Sequence, residues 1–439
     1  MTDTSYGAYV DPNETPPLHE AVPLGLQHVL AMFASNVTPS IIVAGAAGLA
    51  FGGAEQVYLI QMAMLFAGIA TLFQTVGVGP VGARLPIMQG TSFAFVGVLA
   101  GVAATQGLGV ALTACLIGGT IHFLLGSVIQ HLRWLFPPLV TGLVILAIGL
   151  YLIPVAIKYA AGGAATFQME AESFGSLMHW TVALSVVVVA LALKFFTKGI
   201  ISNAAILIGL VVGYIVAYAF GMVNFGAVGN AAWVMTPTPL PYGFEFSLGA
   251  VIAVTLVSIV SAIETVGDAS ATTKAGAGRE ATDKEIAGAT YADGLGTAVA
   301  AVFGGLPNTS FSQNVGIVGM TGIMSRHVVT IGALFLILCG LIPKIGAIIA
   351  SMPLPVLGGG VIVMFGMVAA AGLNVLTEVR MNRRNMVIIA VSLAAGLGLN
   401  LVPTAVQYLP GVVKTLMTSA VAPTALIAIV LNLVLPDEV

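Results

Sequence analysis

The sequence predicts an all-α polytopic membrane protein of about 14 transmembrane segments, arranged as a 7+7 inverted repeat, and three observations lead to this prediction. Hydrophobic residues make up 58% of the 439 residues, and charged residues make up only 7%. Apolar segments long enough to cross a bilayer recur along the whole chain. The tripeptide Thr-Ser-Phe occurs twice, about half a chain apart.

The composition excludes an ordinary soluble domain. Such a domain carries about a quarter charged residues, whereas this chain has a mean hydropathy of +1.06. The first 20 residues are polar and acidic, so no secretory signal is predicted and the first span is expected to remain as an anchor. Cys115 and Cys339 lie within apolar segments, where we expect small packing residues and neither a disulfide nor a metal site.

A transmembrane helix needs about 20 mainly apolar residues. Charges and clusters of Pro, Gly and Asn divide the chain into segments that begin near Val22, Val57, Pro86, Val110, Leu135, Leu177, Ile200, Ser247, Ile286, Asn308, Val328, Leu354, Met386 and Val412. The third and tenth segments are irregular, because each opens on Pro, Gly or Asn and carries polar residues where a lipid-facing helix would carry Leu. The sequence therefore predicts short extended stretches in these two segments.

Basic residues predict the orientation, because Lys and Arg concentrate in the cytoplasmic loops of membrane proteins. With a cytoplasmic N-terminus and fourteen crossings, 11 of the 14 Lys and Arg residues fall in one alternating set of loops. The opposite set contains only Lys158, Lys344 and Lys414. Both termini are therefore expected in the cytoplasm.

Two sequence matches indicate an internal duplication. Thr91 and Thr309 open the two Thr-Ser-Phe triplets and are 218 residues apart. The stretch PLVTGLVILAIGL from Pro138 matches PVLGGGVIVMFGM from Pro355 at an offset of 217. Because seven spans per half is an odd number, the second half must insert in the opposite orientation. Inverted repeats of this kind are typical of secondary transporters.

The two triplets mark the predicted binding region, because interrupted segments at corresponding places in an inverted repeat indicate a ligand site. GTSFAF and NTSFSQ follow Pro86 and Pro307, and each is interpreted as a short extended stretch that leads into a half-helix. Free N–H groups and helix N-termini there would donate hydrogen bonds to a polar ligand. The alternative interpretation is small-residue helix packing.

Ionisable residues inside a membrane are costly, and by default they are functional. Glu264 and Asp268 lie four residues apart and therefore on one helix face, and Asp293 lies in the next segment. His28 lies in the first span, and Asn314 follows the second triplet. Burial disfavours the charged form of a carboxyl group, so such groups can exchange a proton near neutral pH. A purely structural role, in which they tie helices together, is the alternative.

Glu264 and Gln313 together suit a flat heterocycle that displays adjacent N–H and C=O groups. The carboxylate accepts from a ring N–H, the amide both donates and accepts, and Phe93 offers a stacking face. The sequence contains no H-E-x-x-H, G-x-S-x-G or Cys/His metal spacing. Neither a catalytic nor a metal site is therefore predicted, and the chain is not expected to be an enzyme.

At these residues the sequence resembles the nucleobase–ascorbate transporters, also called the nucleobase:cation symporter-2 family. The family signature is Gln, Glu or Pro, then Asn-x-Gly-x-x-x-x-Thr, then Arg, Lys or Gly, and QNVGIVGMTG from Gln313 to Gly322 fits it. QHVLAMF, GTSFAF, ETVGD and LNVLTEVRMNRRNMVIIAVSLAAGLG resemble other landmarks of the family. The resemblance extends from about Leu26 to Pro436.

The resemblance implies a core domain of spans 1–4 and 8–11 and a gate domain of spans 5–7 and 12–14. The corresponding segments are a cytoplasmic tail at 1–21, core segments at 22–134 and 247–350, and gate segments at 135–246 and 351–439. The resemblance assigns substrate binding to Phe93, Ala94, Glu264, Ser312 and Gln313. Proton coupling or support of the site falls on His28, Asp268, Asp293 and Asn314.

The same resemblance implies a homodimer in the bacterial inner membrane that binds a small purine and no nucleic acid. It implies no cofactor apart from a co-transported proton, with Na⁺ left open as the coupled ion. Gln313 resembles the purine branch of xanthine and urate permeases, since uracil permeases usually carry a second glutamate there.

The sequence departs from several xanthine permeases at two places. QNVG replaces QNNG, and Ala94 stands where some of them carry Asn. The shorter side chain would leave a roomier pocket, which adds urate to xanthine as an expected substrate. The function expected is proton-coupled uptake of xanthine and/or urate.

Three alternatives remain open: a uracil or broad nucleobase permease, an anion transporter of the sulfate-carrier type, and a channel or receptor that does not transport. The anion transporter is disfavoured, because the carboxylate of Glu264 would repel an anion.

Overall fold

A computed structural model of the chain describes residues 9–135, 137–163, 166–167, 169 and 171–436. Helices dominate this part of the chain. The first half contains α1 (Leu18–Ala46), α2 (Ala54–Thr75), α3 (Val96–Gln106), α4 (Leu108–Leu125), α5 (Ile129–Leu132), α6 (Pro138–Ala160), α7 (Leu177–Phe196), α8 (Gly199–Asn203), α9 (Ala205–Ala219) and α10 (Gly226–Asn230).

The second half contains α11 (Leu248–Ala277), α12 (Asp283–Val302), α13 (Ser312–Thr321), α14 (Arg326–Leu341), α15 (Pro343–Ala350), α16 (Leu354–Leu376), α17 (Arg383–Leu401), α18 (Gly411–Met417) and α19 (Val421–Val434). Two short strands interrupt the helices, β1 (Gln89–Thr91) and β2 (Asn308–Ser310). Short 3-10 turns occur at Phe93–Phe95, Arg133–Leu135 and Pro403–Val406.

The chain divides into two compact units. The first is built from the described parts of Met1–Leu132 and Asn230–Ala350, and the second from those of Arg133–Gly229 and Ser351–Val439. The segment 230–246, which the sequence assigned to the gate domain, therefore groups with the first unit. Residues 1–8 of the predicted tail and 437–439 of the last predicted segment lie outside the described residues. The assignment of the units as core and gate stays a prediction.

In the first unit, helices from the two halves of the sequence pack alongside each other. The fourth predicted span, α4, packs along the ninth, α12, and the eleventh, α14, packs along the second, α2. An inverted repeat of seven spans requires this reciprocal pairing. The contact is close, because a Cβ added to Gly294 of α12 would lie 2.1 Å from the backbone nitrogen of Phe123. Small residues permit such an approach between membrane helices.

In the second unit, α6 and α16 carry the other pair of matching sequences and pack against each other. Gly149 of α6 lies beside Ala369, and Ala160 at the end of α6 lies beside Gly358 near the start of α16. The two helices therefore run antiparallel. Each has a proline in its first turn, where the missing N–H group costs little.

Within the described residues, eight helices are long and apolar enough to cross a bilayer, namely α1, α2, α4, α6, α7, α11, α16 and α17. A ninth span results if α14 and α15, which meet at a bend of 80°, are counted as one. The predicted helical membrane fold with extended stretches in the third and tenth segments is confirmed. The number fourteen stays a prediction, because the other helices of the described residues are too short or not apolar enough to be counted as spans by themselves.

Candidate functional site

The two Thr-Ser-Phe segments meet in the first unit as a pair of antiparallel strands. β1 pairs with β2 in the register Gln89 with Ser310, Gly90 with Thr309, and Thr91 with Asn308. The Ser92 N–H donates to the Pro307 carbonyl at 2.9 Å, and the Phe311 N–H donates to the Met88 carbonyl at 3.0 Å. The repeat offset of 218 residues relates Gly90 to Asn308 and Thr91 to Thr309. It therefore converts the pair Gly90–Thr309 into the pair Asn308–Thr91, as a two-fold axis between the strands requires.

An amide on α1 holds the first strand in place. Asn36 is fully buried, and its Oδ1 accepts from the Thr91 N–H at 2.8 Å and from Thr91 Oγ1 at 3.1 Å. Its Nδ2 donates to the Ala63 carbonyl at 3.1 Å. Extended backbone inside a membrane needs such partners, because no water is available there. Asn36 therefore joins α1, α2 and β1.

Each strand leads directly into a helix start. β1 is followed by the 3-10 turn Phe93–Phe95 and then α3, whereas β2 is followed by α13. The first N–H groups of a helix have no partner within the helix and carry partial positive charge. α11 contacts both the turn Phe93–Phe95 and α13. The predicted half-helices are thus present, and one long helix packs against the start of each.

Asp268 on α11 fixes the second of these helix starts. Its two carboxylate oxygens accept from Ser310 Oγ at 2.6 Å and from Ser312 Oγ at 2.8 Å. The side chain is buried. Two donors on two separate oxygens hold the carboxylate in one orientation, so Asp268 joins α11 to the end of β2 and the first residue of α13.

Asp293 on α12 binds more donors than any other carboxylate at the site. Its Oδ1 accepts from Gln74 Nε2 at 3.1 Å and from Gln89 Nε2. Its Oδ2 accepts from Thr309 Oγ1 at 3.4 Å and from Thr265 Oγ1. An ionised carboxylate offers about four acceptor positions, so these donors occupy its whole capacity.

The depth of Asp293 differs from the prediction. The sequence predicted a span that begins near Ile286, about seven residues before Asp293. In the structure α12 begins at Asp283, so Asp293 lies near the middle of the helix, and its side chain is fully buried. The helix starts earlier because Thr282 and Glu285 form a reciprocal capping box at its N-terminus.

His28 and Asn314 join α1 to α13. Asn314 Nδ2 donates to His28 Nδ1 at 3.0 Å and to the His28 carbonyl at 3.0 Å. Both residues are buried. Because Nδ1 accepts this bond, a neutral His28 ring carries its proton on Nε2. The pair anchors the first turn of the half-helix that also carries Gln313.

Glu264 and Gln313 differ from the polar residues around them. Both side chains are partly exposed, and neither forms a hydrogen bond or ion pair with any residue that the structure describes. Glu264 lies one turn before Asp268 on α11, and Gln313 lies between Ser312 and Asn314 on α13. Their neighbours are bound to the protein, so these two side chains alone among the predicted polar site residues remain available to a ligand.

Phe93 and Ala94 form the start of the 3-10 turn after β1. Phe93 is 8% exposed and Ala94 is 3% exposed. The Ala94 N–H donates to Ser92 Oγ at 3.3 Å, which is a long bond that caps the turn. The turn contacts α11, the helix that carries Glu264. All nine predicted site residues therefore lie on the strand pair, on the two helix starts, or on the helices that contact them.

Comparison with known proteins identifies the family of the chain. A model described as a permease family matches residues 19–405. The chain belongs to the nucleobase:cation symporter-2 family. The permease is 34% identical to the xanthine permease XanP of Escherichia coli K12, over 97% of this chain and 94% of that protein. It is 36% identical to the uric acid transporter UacT of the same strain, over 93% of this chain and 84% of that protein. It is a transporter and not an enzyme.

The fold of the permease also occurs in solved structures. The transmembrane domain of a cyanobacterial bicarbonate transporter, BicA, aligns with a TM-score of 0.63 over 95% of this chain and 98% of that chain. The two sequences are 16% identical, so the similarity concerns the fold alone. Together with the reciprocal helix pairing, it confirms the inverted-repeat fold.

Sequence reasoning assigned no role to several residues that hold the site of this permease together. They are Asn36, Gln74, Gln89, Thr265 and Thr309, all buried and all bound to a strand or to Asp293. Amides deep in apolar helices, as at Asn36 and Gln74, were the available signal. Within the described residues, no group of three or more His, Cys, Asp or Glu side chains is arranged to hold a metal ion.

Proposed function

We propose that this permease is a proton-coupled uptake symporter for purines, with xanthine and/or urate as substrates. The observation that carries the proposal is the pair Glu264 and Gln313, whose side chains have no bound partner among the described residues. The printed names of two relatives, a xanthine permease and a uric acid transporter, support the substrate class.

Recognition follows from the chemistry of these two side chains. A purine dione displays N–H and C=O groups alternately along its edge. The Glu264 carboxylate can accept from a ring N–H, and the Gln313 amide can donate to a carbonyl while it accepts from the neighbouring N–H. Phe93 supplies an aromatic face, and the N–H groups at the starts of α13 and the Phe93–Phe95 turn supply further donors.

The four donors on Asp293 support the proposed coupling to a proton. When the carboxylate takes up a proton, one oxygen becomes a donor and loses acceptor capacity, so at least one of the four bonds must rearrange. Gln89 and Thr309 belong to the two strands, and Thr265 adjoins Glu264 on α11. The protonation state of Asp293 therefore acts on the strand pair and on the helix that carries the ligand carboxylate.

We further propose that the permease lies in a bacterial inner membrane with both termini in the cytoplasm. Of the 14 Lys and Arg residues, 11 fall in the loops that this orientation places in the cytoplasm and 3 in the opposite set, which supports the orientation. A homodimer is proposed from the family resemblance alone. A proton is the proposed coupled ion, and Na⁺ is the alternative that the experiment must test.

Uptake by a permease-deficient bacterium tests the proposal. Cells that express the chain are given radiolabelled xanthine, urate, uracil, guanine or hypoxanthine, with and without a proton uncoupler and with Na⁺ replaced by K⁺. We expect saturable accumulation of xanthine and/or urate that the uncoupler abolishes and the Na⁺ replacement does not change. Accumulation of uracil in preference to purines would contradict the substrate class. Loss of accumulation on removal of Na⁺ would contradict the coupled ion.

A further inference from the structure

A histidine outside the predicted site lies where α4 meets α11 and α12. A Cβ added to Gly118 of α4 would lie 3.4 Å from Ser258 Oγ of α11, and one added to Gly119 would lie 3.0 Å from the Cβ of Thr297 of α12. His122 follows these glycines by four and three residues, so it shares their helix face. It is 1% exposed and therefore lies on the face of α4 that packs against both helices.

The ring of His122 has unused hydrogen-bonding capacity. Neither ring nitrogen has a hydrogen-bond partner among the described residues. An unpaired buried polar group costs about 1–3 kcal/mol, and a neutral imidazole has both a donor and an acceptor to satisfy. The hydroxyl of Thr255 on α11 is also buried without a partner among those residues. Such a polar location is where internal water is found in proteins.

A chain of hydroxyl groups leads from the same face of α11 to Asp293. Ser261, one turn after Ser258, donates from Oγ to Thr309 Oγ1 at 3.2 Å. Thr309 Oγ1 donates in turn to Asp293 Oδ2 at 3.4 Å. Both bonds point towards the carboxylate, which is the direction that a proton relay towards Asp293 requires. Among the described residues, this series of hydroxyl groups lacks only a donor to Ser261 Oγ.

We propose that His122 is a second protonation site of the transport cycle, which exchanges its proton with Asp293 through internal water, Ser261 and Thr309. The His122 imidazolium gives up one proton to the internal water, the water and the hydroxyls of Ser261 and Thr309 each pass one proton to the next group, and the Asp293 carboxylate receives one. The products are a neutral imidazole and a carboxylic acid, and the total charge does not change. The inference rests on the proton-coupled transport proposed above and adds a residue to its proton pathway.

Other titratable groups lie on the helices that pack against α4. Apart from the terminal turns, these are Glu264 and Asp268 on α11 and Tyr291 and Asp293 on α12, whereas α3 carries none. The Tyr291 ring packs against the Phe123 ring in a tilted arrangement, with centroids 5.0 Å apart and an angle of 50° between the planes. Asp268 is bound to Ser310 and Ser312, and only Asp293 is joined to the Ser261 hydroxyl by the bonds described.

Two substitutions of His122 test the relay in proteoliposomes that contain the full chain. His122→Phe removes both nitrogens, and His122→Gln keeps hydrogen bonding but cannot carry a proton. Radiolabelled xanthine and urate serve as probes in equilibrium binding, in counterflow exchange and in accumulation driven by an imposed pH gradient. We expect both variants to keep affinity and counterflow within about twofold and to lose pH-driven accumulation by about tenfold or more.

Cys115→Ala is the matched control, because Cys115 is fully buried and lies two turns earlier on the same face of α4. It should behave as wild type. Normal pH-driven accumulation by His122→Gln would overturn the proposal, because it would show that hydrogen bonding without proton transfer is enough. Normal accumulation by His122→Phe would overturn it as well.

Ser261→Ala covers the case in which the His122 variants fail to reach the membrane. It removes the hydroxyl that links His122 to Thr309, so we expect the same loss of pH-driven accumulation, and no additional loss when both residues are replaced. Wild-type coupling in Ser261→Ala would overturn the relay. If the wild-type chain itself shows no pH-driven accumulation, the proposed function fails first, and the two failures are therefore distinguishable.

Discussion

The two arms of the site, Gly90–Val96 and Asn308–Asn314, start alike and end differently. Each arm runs through Thr-Ser as extended backbone and then leads into a helix. Phe93 already belongs to the 3-10 turn of the first arm, whereas Phe311 is still extended and directly precedes α13. After the shared phenylalanine, the first arm continues with Ala-Phe-Val and the second with Ser-Gln-Asn. Three apolar residues in one arm therefore correspond to three polar residues in the other.

Because of this difference, the polar side chains that follow the triplet lie in the second arm only. In the first arm, the three residues Ala94 to Val96 are buried and apolar. In the second arm, Ser312 binds Asp268, Asn314 binds His28, and Gln313 remains unbound to any described residue. The comparison teaches that the duplication supplies a symmetric backbone, whereas the side chains after the triplet place the polar chemistry in one arm only.

The largest effect is expected at Asp293, whose carboxylate accepts hydrogen bonds near the start of both arms. Its donors include Thr309 of the second arm and Gln89, the residue directly before the first arm. Asp293→Asn mimics the protonated acid and cannot release a proton. We expect it to abolish pH-driven accumulation of purine and to change equilibrium binding by only a few-fold. Binding to purified protein by calorimetry or scintillation proximity, paired with uptake across an imposed pH gradient, measures both effects.

Two further variants complete this experiment. Glu264→Gln should weaken binding itself, because it replaces an acceptor by a partial donor beside the ring N–H groups. Asp283→Asn, at the exposed start of the same helix as Asp293, is the matched control and should transport normally. If Asp293→Asn abolished binding while Glu264→Gln left it intact, the two roles would be reversed.

The next effect is expected at Gln313, the polar residue that corresponds to Phe95 in the first arm. Gln313→Glu keeps the size but removes the donors, so a ligand carbonyl would face a carboxylate. We expect a loss of about 1–3 kcal/mol, or about 5- to 150-fold in xanthine and urate affinity. Gln106→Glu makes the same change at the exposed end of α3 and should leave affinity unchanged. Wild-type affinity in Gln313→Glu would exclude the amide from the binding site.

A smaller effect is expected when the second arm is made to resemble the first. Ser312→Ala reproduces the residue at Ala94 and removes one of the two donors to Asp268. We expect the free energy of purine binding to weaken by about 1 kcal/mol, or about fivefold in affinity, because Ser310 still donates to the Asp268 carboxylate. Ser92→Ala in the first arm serves as the control, because the one partner of its hydroxyl among the described residues is the Ala94 backbone N–H at 3.3 Å. Equal effects of the two variants would contradict the proposed asymmetry.

The smallest effect is expected at Ala94, where the first arm is made more polar. Ala94→Asn should fill the space proposed for the 8-oxo group of urate and narrow selectivity towards xanthine by a few-fold. Competition of urate against radiolabelled xanthine uptake measures this ratio. A parallel loss of both substrates would identify Ala94 as a general packing position and remove the main argument for urate.

Most of the architecture was predictable because it depends on patterns along the chain. Proline followed by Thr-Ser-Phe predicted the extended stretches, and the offset of 218 identified them as corresponding segments of the repeat. The structure pairs them as β1 and β2. The polar partners were less predictable. Gln74 stands out as an amide in an apolar helix, but its partner Asp293 lies 219 residues away, and nothing local in the sequence indicates which distant residue it binds.

The sequence by itself determined the membrane environment, the duplicated halves and the few ionisable residues inside the apolar segments, because hydropathy and repetition are properties of the chain. Only the tertiary structure decided which of those residues are bound to the protein and which remain available. Asp268 and Glu264 are both acids on one face of α11, yet two serines bind the first and no described residue binds the second. That distinction depends on which distant segments fold against each turn of the helix, and helical periodicity does not specify those contacts.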